Sequence, residues 1–346
     1  MKKYILIFIG VFGLSTNTKA QDGFENILLA DGSDSKKLLQ AYFAPGMEGF
    51  INAMNTGWYH TAKVHKPFGF DISIGASGAI IPSERDLINI SALGLSSNIT
   101  TGSTTTPSFS NPDVNGAQFT VNTTISGQAA SANFSMPSGV ELPANLVPAP
   151  AVQVNLGLPM KFEVMGRFIP NISFGDSGDE SSLKMFGIGL KKEITSWFGP
   201  MEKTPLHVSL LAAYTNMTVS YGIADITTGP IRTQAAAAEF DLSAYTVQAI
   251  ASLNFPFINL FGGIGFNSGS SSYNMSGTYT GVYDTGMPAP STVTKNLTVP
   301  TGLEFDSSGF ATTLGARLSL GFFKIFASYT LQEYNALNAG IAISIR

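Results

Sequence analysis

Four basic side chains lie close together early in the chain: His60, Lys63, His65 and Lys66. Imidazole and ammonium groups form charge-assisted hydrogen bonds with carboxylates and phosphates, so this cluster is a candidate site for the head group of a ligand. The alternative is a solvated stretch whose charges pair with acids at a neighbouring rim. A zinc-binding histidine pair on a helix has i, i+4 spacing, whereas these histidines are five positions apart, and we expect no metal.

A second set of charges lies within a segment of strict alternation, Val152 to Phe168, where apolar residues share one parity. Lys161, Glu163 and Arg167 occupy the other parity. Because a Lys or Arg that faces lipid at the bilayer midplane costs about 2–4 kcal/mol, we expect these charges to face a lumen. Arg317 is a further candidate. The charges either line a substrate route or pair with one another to fix a plug, and both interpretations stay open.

The elements that must position these residues are strands, as the C-terminal region shows most fully. Apolar and polar residues alternate from Phe310 to Phe322, again from Ile325 to Leu331, and again from Ala339 to Ile345. A period of two indicates a strand with one apolar and one polar face. Strands of about ten residues exceed the usual length in soluble sandwiches and match the length that crosses a bilayer at a tilt. The pattern favours a transmembrane barrel.

Composition agrees with this fold class. Charged residues are 12% of the chain, there is no cysteine, and the net charge is −4. The absence of cysteine excludes disulfides and thiolate metal sites, and the charge offers no basic patch for nucleic acid. We therefore predict an all-β transmembrane fold, an antiparallel outer-membrane β-barrel of about 12–14 strands with a short N-terminal helical plug or cap. We expect no cofactor.

Three parts of the chain are predicted. Residues 1–20 have a charged start, a short apolar core and a small-residue cleavage site, as in a secretion signal, and the core is too short to span a membrane as a helix. Residues 21–66 form the plug or cap. Residues 67–346 form the barrel, with long loops near 96–150 and 286–300. We expect export, cleavage of the signal, and location in the outer membrane of a Gram-negative bacterium.

The N-terminal part carries apolar residues at helical spacing on both sides of Pro45-Gly46, where an interruption is expected. One placement is a pair of amphipathic helices at one end of the barrel, and the other is a plug inside the lumen. Either would surround the helical piece with protein rather than lipid. The residues predicted to form the plug are Leu38, Tyr42, Phe43, Phe50 and Trp58.

One short motif suggests a different chemistry. Residues 175–179, Gly-Asp-Ser-Gly-Asp, resemble the nucleophile segment of trypsin-like serine proteases. The final glycine of that segment is missing, and none of the three histidines lies in a partner motif. We expect a loop here and no enzymatic activity.

Several short motifs resemble those of a functionally uncharacterised family of Gram-negative outer-membrane proteins, similar to the FadL-type long-chain fatty-acid transporters. They are residues 38–45 (Leu-Leu-Gln-Ala-Tyr-Phe-Ala-Pro), 57–63 (Gly-Trp-Tyr-His-Thr-Ala-Lys), 157–159, 167–170 and 328–332. The resemblance implies a plugged barrel and a hydrophobic ligand such as a fatty acid, but it carries over no ligand residue.

The remaining partners expected are outer-membrane lipid and the barrel-insertion machinery. That machinery generally reads a terminal aromatic residue, whereas this chain ends Ile345-Arg346. The alternative function is a structural or partner-binding barrel with no transport role.

Overall fold

The computed structural model describes residues 23–174 and 180–345, without the side chains of 143, 174 and 200–203. The predicted signal (1–20) and the Gly-Asp-Ser-Gly-Asp motif (175–179) lie outside the described residues. Within the described part, no helix is both long and apolar enough to cross a membrane.

The described chain is mainly antiparallel sheet. Its strands, in chain order, are β1 (Phe70–Ile80), β2 (Leu87–Asn89), β3 (Ile99–Thr100), β4 (Thr105–Pro107), β5 (Gln118–Ile125), β6 (Gln128–Ser135), β7 (Leu146–Leu158), β8 (Phe162–Phe174), β9 (Ser181–Glu193), β10 (Leu206–Ile223), β11 (Ile231–Asn254), β12 (Ile258–Asp284), β13 (Thr292–Asn296), β14 (Leu303–Leu320), β15 (Phe323–Leu331) and β16 (Ala336–Ile345).

The main sheet closes into a ring. It has 14 strands in the described residues. Ten of them form the ring, in which each strand pairs with the next in chain order until β16 pairs with β1. The other four are side branches: β3, β5, β6 and β13. The predicted antiparallel barrel is therefore confirmed. The predicted count of 12–14 matches the whole sheet, whereas the closed ring is smaller because the segment between β1 and β7 does not enter it.

The two ends of the barrel differ. We call one the turn end, where connections 159–161, 255–257 and 321–322 are tight and 194–205 is longer. The opposite, loop end holds connections 81–145, 224–230, 285–302 and 332–335, and β8 ends and β9 begins there. β1 starts and β16 finishes at the turn end, as their antiparallel register requires.

The predicted parity holds along the ring. In β14, Phe310 is 85% exposed and Leu314 is 67% exposed, while Thr313 between them is buried. The other ring strands repeat the pattern near the turn end, so apolar side chains encircle the outer surface and polar ones face the lumen. A continuous apolar belt on a closed sheet is the surface that a transmembrane barrel presents to lipid.

The segments predicted as long loops carry strands of their own. Within 81–145, β2 pairs with β4, and β3, β5 and β6 form a branch that meets β12. Residues 87–95 form no spanning strand, although Leu87–Leu95 alternates like one: only β2 is extended there, and a 3-10 helix, Ile90–Leu93, follows it. Near 286–300, β13 pairs with the end of β12.

The N-terminal part is helical. A 3-10 helix, Phe24–Ala30, precedes helix α1, Gly32–Met54, which continues through Pro45 without the predicted interruption. Proline removes one N–H donor, and the apolar contacts on both sides hold the helix together. The ring of Phe43 lies 5.3 Å from that of Phe240 and 5.2 Å from that of Tyr273, on the inner faces of β11 and β12. Helix α1 is thus enclosed by the barrel wall toward the loop end.

Candidate functional site

Residues 55–66, which we call the lumenal strap, connect α1 to the start of the barrel. The hydroxyl of Tyr59 donates to Oε1 of Gln248 at 2.9 Å, and the backbone N–H of Ala62 donates to Oγ of Ser252 at 3.0 Å. Both partners are on β11, and Ser252 is the nearer to the turn end. The strap therefore descends through the lumen from the loop end to the turn end before the chain enters β1.

Two aromatic rings of the strap fill the lumen at its middle. Trp58 and Tyr59 are buried, and a Cβ placed on Gly187 or Gly189 would meet the indole at 3.1 Å. A Cβ on Gly263 would lie 2.3 Å from the Tyr59 hydroxyl. The wall is made of glycine where the rings approach it, since any side chain there would collide with them. A cavity that remains beside the strap has a volume of 10 Å³, close to the least that holds one water molecule.

Arg167 on β8 fixes the junction between α1 and the strap. Its Nη1 donates to the carbonyl oxygen of Met54 at 3.1 Å, its Nη2 to that of Thr56 at 2.9 Å, and its Nε to Oε1 of Gln153 at 2.8 Å. The guanidinium also stacks 3.9 Å from the ring centre of Trp58. A cation at a helix C-terminus satisfies carbonyl groups that lack partners within the helix. Arg167 therefore serves as an anchor for the plug.

Nearer the turn end, buried charges tie the strap to four strands. We call this group the lumenal ionic network: His60 and His65 of the strap with Asp71, Glu163, Lys191 and Arg317 of the wall. Lys191 Nζ lies 2.6 Å from Glu163 Oε1, and His65 Nδ1 lies 2.8 Å from Glu163 Oε2. Glu163 also accepts from the backbone N–H of His65 at 2.9 Å. One carboxylate thus joins the strap to β8 and β9.

His60 joins the other half of the network. Its Nδ1 lies 3.0 Å from Arg317 Nη1, and its Nε2 lies 3.2 Å from Asp71 Oδ2. An arginine can only donate, so Nδ1 accepts and the proton resides on Nε2, which faces Asp71 Oδ2. This assignment makes His60 a neutral imidazole held between two wall charges. Asn155 Nδ2 donates to the other oxygen of Asp71 at 2.7 Å.

The network suits a structural clamp better than an open ligand site, because its charges already face partners and are nearly all withdrawn from solvent. Breaking one member of a buried ion pair is costly, since it leaves the other charge uncompensated. Within the described residues, no group of three or more His, Asp or Glu side chains is arranged to hold a metal ion.

The structure separates the predicted candidates into three groups. It brings His60, His65, Glu163 and Arg317 together in the lumenal ionic network. It places Arg167 apart, at the end of α1. It leaves Lys63 and Lys66 exposed at the turn end, and puts Lys161 in the 159–161 connection rather than on an inward strand position.

Two members of the network were missed. Asp71 interrupts the apolar run of the first strand between Phe70 and Ile72, and Lys191 shares its parity with buried Glu193. A charge at the inward parity of a spanning strand is the signal that would have identified both.

The predicted plug residues lie inside the molecule. Leu38, Tyr42, Phe43 and Trp58 are buried and Phe50 is half-buried.

An apolar cleft lies at the loop end between the N-terminal helices, the 81–145 segment and the inner faces of β10 and β11. It has a volume of 120 Å³. The aromatic residues that line it are Phe24, Tyr42, Phe43, Phe109, Tyr221 and Phe240. Burial raises the pKa of Tyr42, whose hydroxyl donates to the Ser138 carbonyl oxygen at 2.7 Å, so this phenol stays neutral near pH 7. The cleft offers an uncharged, aromatic surface.

Comparison with known families gives a match to residues 1–345, described as a family of unknown function, DUF6588. The chain belongs to this family. Comparison with curated proteins found no significant match.

Among the solved structures to which the family member is similar are three bacterial barrels. The outer-membrane protease OmpT of Escherichia coli shares 9% identity, with 82% of this chain and 100% of that chain covered, at a TM-score of 0.33. The translocator domain of the autotransporter NalP of Neisseria meningitidis shares 9% identity, with 82% of this chain and 90% of that chain covered, at a TM-score of 0.32. A FadL homologue of Pseudomonas aeruginosa shares 9% identity, with 86% of this chain and 95% of that chain covered, at a TM-score of 0.23. TM-scores this low carry no argument, and the fold assignment depends on the strand pairing.

Proposed function

We propose that this protein is an outer-membrane barrel whose lumen is closed by its own N-terminal segment, and that it binds the apolar part of a small hydrophobic molecule, such as a fatty acid, in the apolar cleft. The observation that carries the proposal is the cleft itself: six aromatic side chains line an open, uncharged cavity on a protein whose lumen is otherwise filled.

The position of the cleft supports capture from outside the cell. Barrels of the outer membrane have short turns on the periplasmic side and long loops outside, so the loop end faces outward. A cavity of 120 Å³ is smaller than a complete drug-sized site and suits a short length of acyl chain or a single ring. Ser181 lies at its border and offers a hydroxyl to a polar head group.

Binding rather than free passage is the activity that the lumen supports. The strap, its two aromatic rings and the lumenal ionic network occupy the route between the ends, and passage requires them to move. The membrane lipid and the barrel-insertion machinery are the further partners that we propose for such a fold.

A fluorescent fatty acid tests the proposal. Val140 borders the cleft and is half-buried, so Val140→Trp fills the cleft from its rim. We expect the purified protein in detergent to bind the probe saturably, and Val140→Trp to weaken binding at least tenfold. Val114→Trp is the matched control, because Val114 lies exposed on the same segment away from the cleft. Equal binding by all three proteins, or none by the wild type with its fold intact, would remove the ligand claim.

A second candidate function is capture of a macromolecular partner. It is favoured by the 81–145 segment, which builds its own sheets on the loop end instead of a plain loop. Replacing the β5–β6 hairpin with a short turn discriminates between the two, since fatty-acid binding survives under our proposal and partner capture is lost under the alternative.

We also propose that the protein has no catalytic role. His60 and His65 are paired with wall carboxylates, and His207 Nδ1 lies 3.0 Å from Glu193 Oε1. Each histidine thus has a structural partner. Assays of lipid hydrolysis and proteolysis should detect nothing in the wild type, and activity lost on any single His→Ala change would overturn this.

A further inference from the structure

A shallow apolar groove runs across the outer wall near the turn end, away from the apolar cleft. Its floor is Ala212 on β10, which stands opposite Leu190 of β9 and Val247 of β11 in the sheet register. Both neighbours carry exposed, larger side chains. One row toward the loop end, Tyr214 and Tyr245 stand opposite each other and close the groove. The depression has a volume of 490 Å³ and is almost wholly apolar.

A cation lies at the turn-end side of this groove. Lys192 lies on the outer face of β9, as Leu190 does, and is two residues, or about 6.6 Å, farther along the strand. In the register it stands opposite Phe162 and Leu210. Its Nζ lies 4.2 Å from the ring centre of Phe162 and donates to the carbonyl oxygen of Met160 in the adjacent turn. The aliphatic stem therefore covers apolar wall while the charge points to the membrane surface.

The level of Lys192 is that of a membrane interface. Trp197, in the connection between β9 and β10, is 68% exposed, and exposed tryptophans mark the head-group region of membrane proteins. A groove that begins at the head-group level and extends toward the middle of the belt matches the shape of one lipid.

The exposed charge at the turn end is also mainly positive. The accessible cations there are Lys63, Lys66, Lys161, Lys192 and Lys324. Among side chains that the structure describes there, the acids Asp71, Glu163 and Glu193 are buried. Asp71 faces His60 and His65, Glu163 is paired with Lys191 and His65, and Glu193 is paired with His207. The surface next to the groove is thus positive and complements a phosphate.

We propose that Lys192 and the groove beside it bind an anionic phospholipid of the inner leaflet, with the phosphate at the ammonium group and an acyl chain along Ala212. The site depends on the membrane placement proposed above, but not on ligand binding in the apolar cleft. The phosphate and the chain are both required, because the ammonium alone is one surface charge and the groove alone has no preference for a head group.

Native mass spectrometry of the full chain in detergent tests this site with phosphatidylglycerol and phosphatidylcholine as probes. The wild type should retain phosphatidylglycerol preferentially. Lys192→Gln should reduce that retention about fivefold, the effect of one lysine at an anionic surface. Ala212→Trp, which fills the groove from the lipid side, should reduce retention of both lipids.

The control for charge is Lys184→Gln, because Lys184 lies exposed on the same outer face of β9 toward the loop end. Retention of phosphatidylglycerol by Lys184→Gln should equal that by the wild type. Equal losses in Lys184→Gln and Lys192→Gln would show a general charge effect and overturn the site, as would no loss in Lys192→Gln. Displacement of the lipid by glycerol 3-phosphate would show a phosphate site without a role for the chain.

Failure of this site is distinguishable from failure of the cleft. Val140→Trp, which fills the cleft, should leave phosphatidylglycerol retention unchanged. All variants are first compared for the altered gel mobility of unheated samples, so that only folded barrels are scored.

Discussion

The guanidinium of Arg167 lies 3.9 Å from the ring centre of Trp58, with β8 contributing the cation and the lumenal strap the indole. The same guanidinium donates to two carbonyl oxygens at the end of α1. One side chain of the wall thereby sets where the helix ends and where the strap begins. Because these contacts need the planar fork of arginine, they give a direct way to loosen the plug without removing a charge.

Arg167→Lys should destabilise the plug by about 1–3 kcal/mol, because a single ammonium cannot satisfy both carbonyls, Gln153 and the indole together. The chain has two tryptophans, so a Trp197→Phe background makes Trp58 the lone reporter. Urea unfolding followed by Trp58 fluorescence measures the change. Arg232→Lys, exposed on β11, is the control and should leave the midpoint in place. Unchanged midpoints in both variants would contradict the anchoring role.

Glu163 should be among the most sensitive positions of the barrel. Glu163→Gln leaves the buried ammonium of Lys191 without its counter-ion, and we expect a loss of about 3–5 kcal/mol. Replacing both residues by methionine removes the pair together and should restore most of the stability. The wild type, Glu163→Met, Lys191→Met and the double variant form a cycle and are compared by the temperature at which the folded gel band disappears. Additive losses in the double variant would mean that the two charges do not stabilise each other.

Glu48 should give the loop end a pH dependence of known sign. Burial raises its pKa above 4.5, although the hydrogen bond from Tyr334 and the nearby Arg85 lower it. The folded state then holds this proton more tightly than the unfolded state, so its contribution to stability is complete below pH 4.5 and is lost as pH rises through the raised pKa. Hydrogen exchange in the second half of α1 should therefore quicken with rising pH more in the wild type than in Glu48→Gln. The same pH slope in both proteins would refute the assignment.

The filled lumen predicts a closed channel. In planar bilayers the full chain should show no steady ion conductance, because Trp58, Tyr59 and the lumenal ionic network occupy the route. A variant that lacks residues 23–66 should conduct if it inserts as a folded barrel. Steady conductance by the full chain would show that the strap leaves an aqueous path.

Much of the barrel could be predicted from sequence because the side-chain period of two is local information. The alternation around Phe310 and in Val152–Phe168 follows directly from residue order, and so does the inward direction of Glu163 and Arg167. The closure of ten strands could not be read in this way. It depends on which strands pair, and the strands of the 81–145 segment, such as β5, alternate like spanning ones.

Part of the candidate site could also be predicted, because side-chain parity is local information. Parity places Glu163 in the lumen, but its partner Lys191 depends on the β8–β9 register and its partner His65 on the path of the strap, which has no periodicity. His60 and His65 are candidates because of their residue type, but the sequence does not decide whether they are solvated or buried. The groove beside Lys192 also escapes sequence reasoning, because it needs the register that sets Ala212 between Leu190 and Val247.

The path of the strap is the central claim, and a disulfide tests it most directly because the chain has no cysteine of its own. Thr61 Oγ1 lies 3.2 Å from Ser252 Oγ inside the lumen, and Ser243 Oγ lies 3.2 Å from Ser270 Oγ on the outer face. Thr61→Cys with Ser252→Cys should cross-link in intact membranes as completely as the outer pair, Ser243→Cys with Ser270→Cys. Thr61→Cys with Ser270→Cys should not. Cross-linking of the outer pair alone, with the lumenal pair left as free thiols, would show that the strap does not cross the barrel.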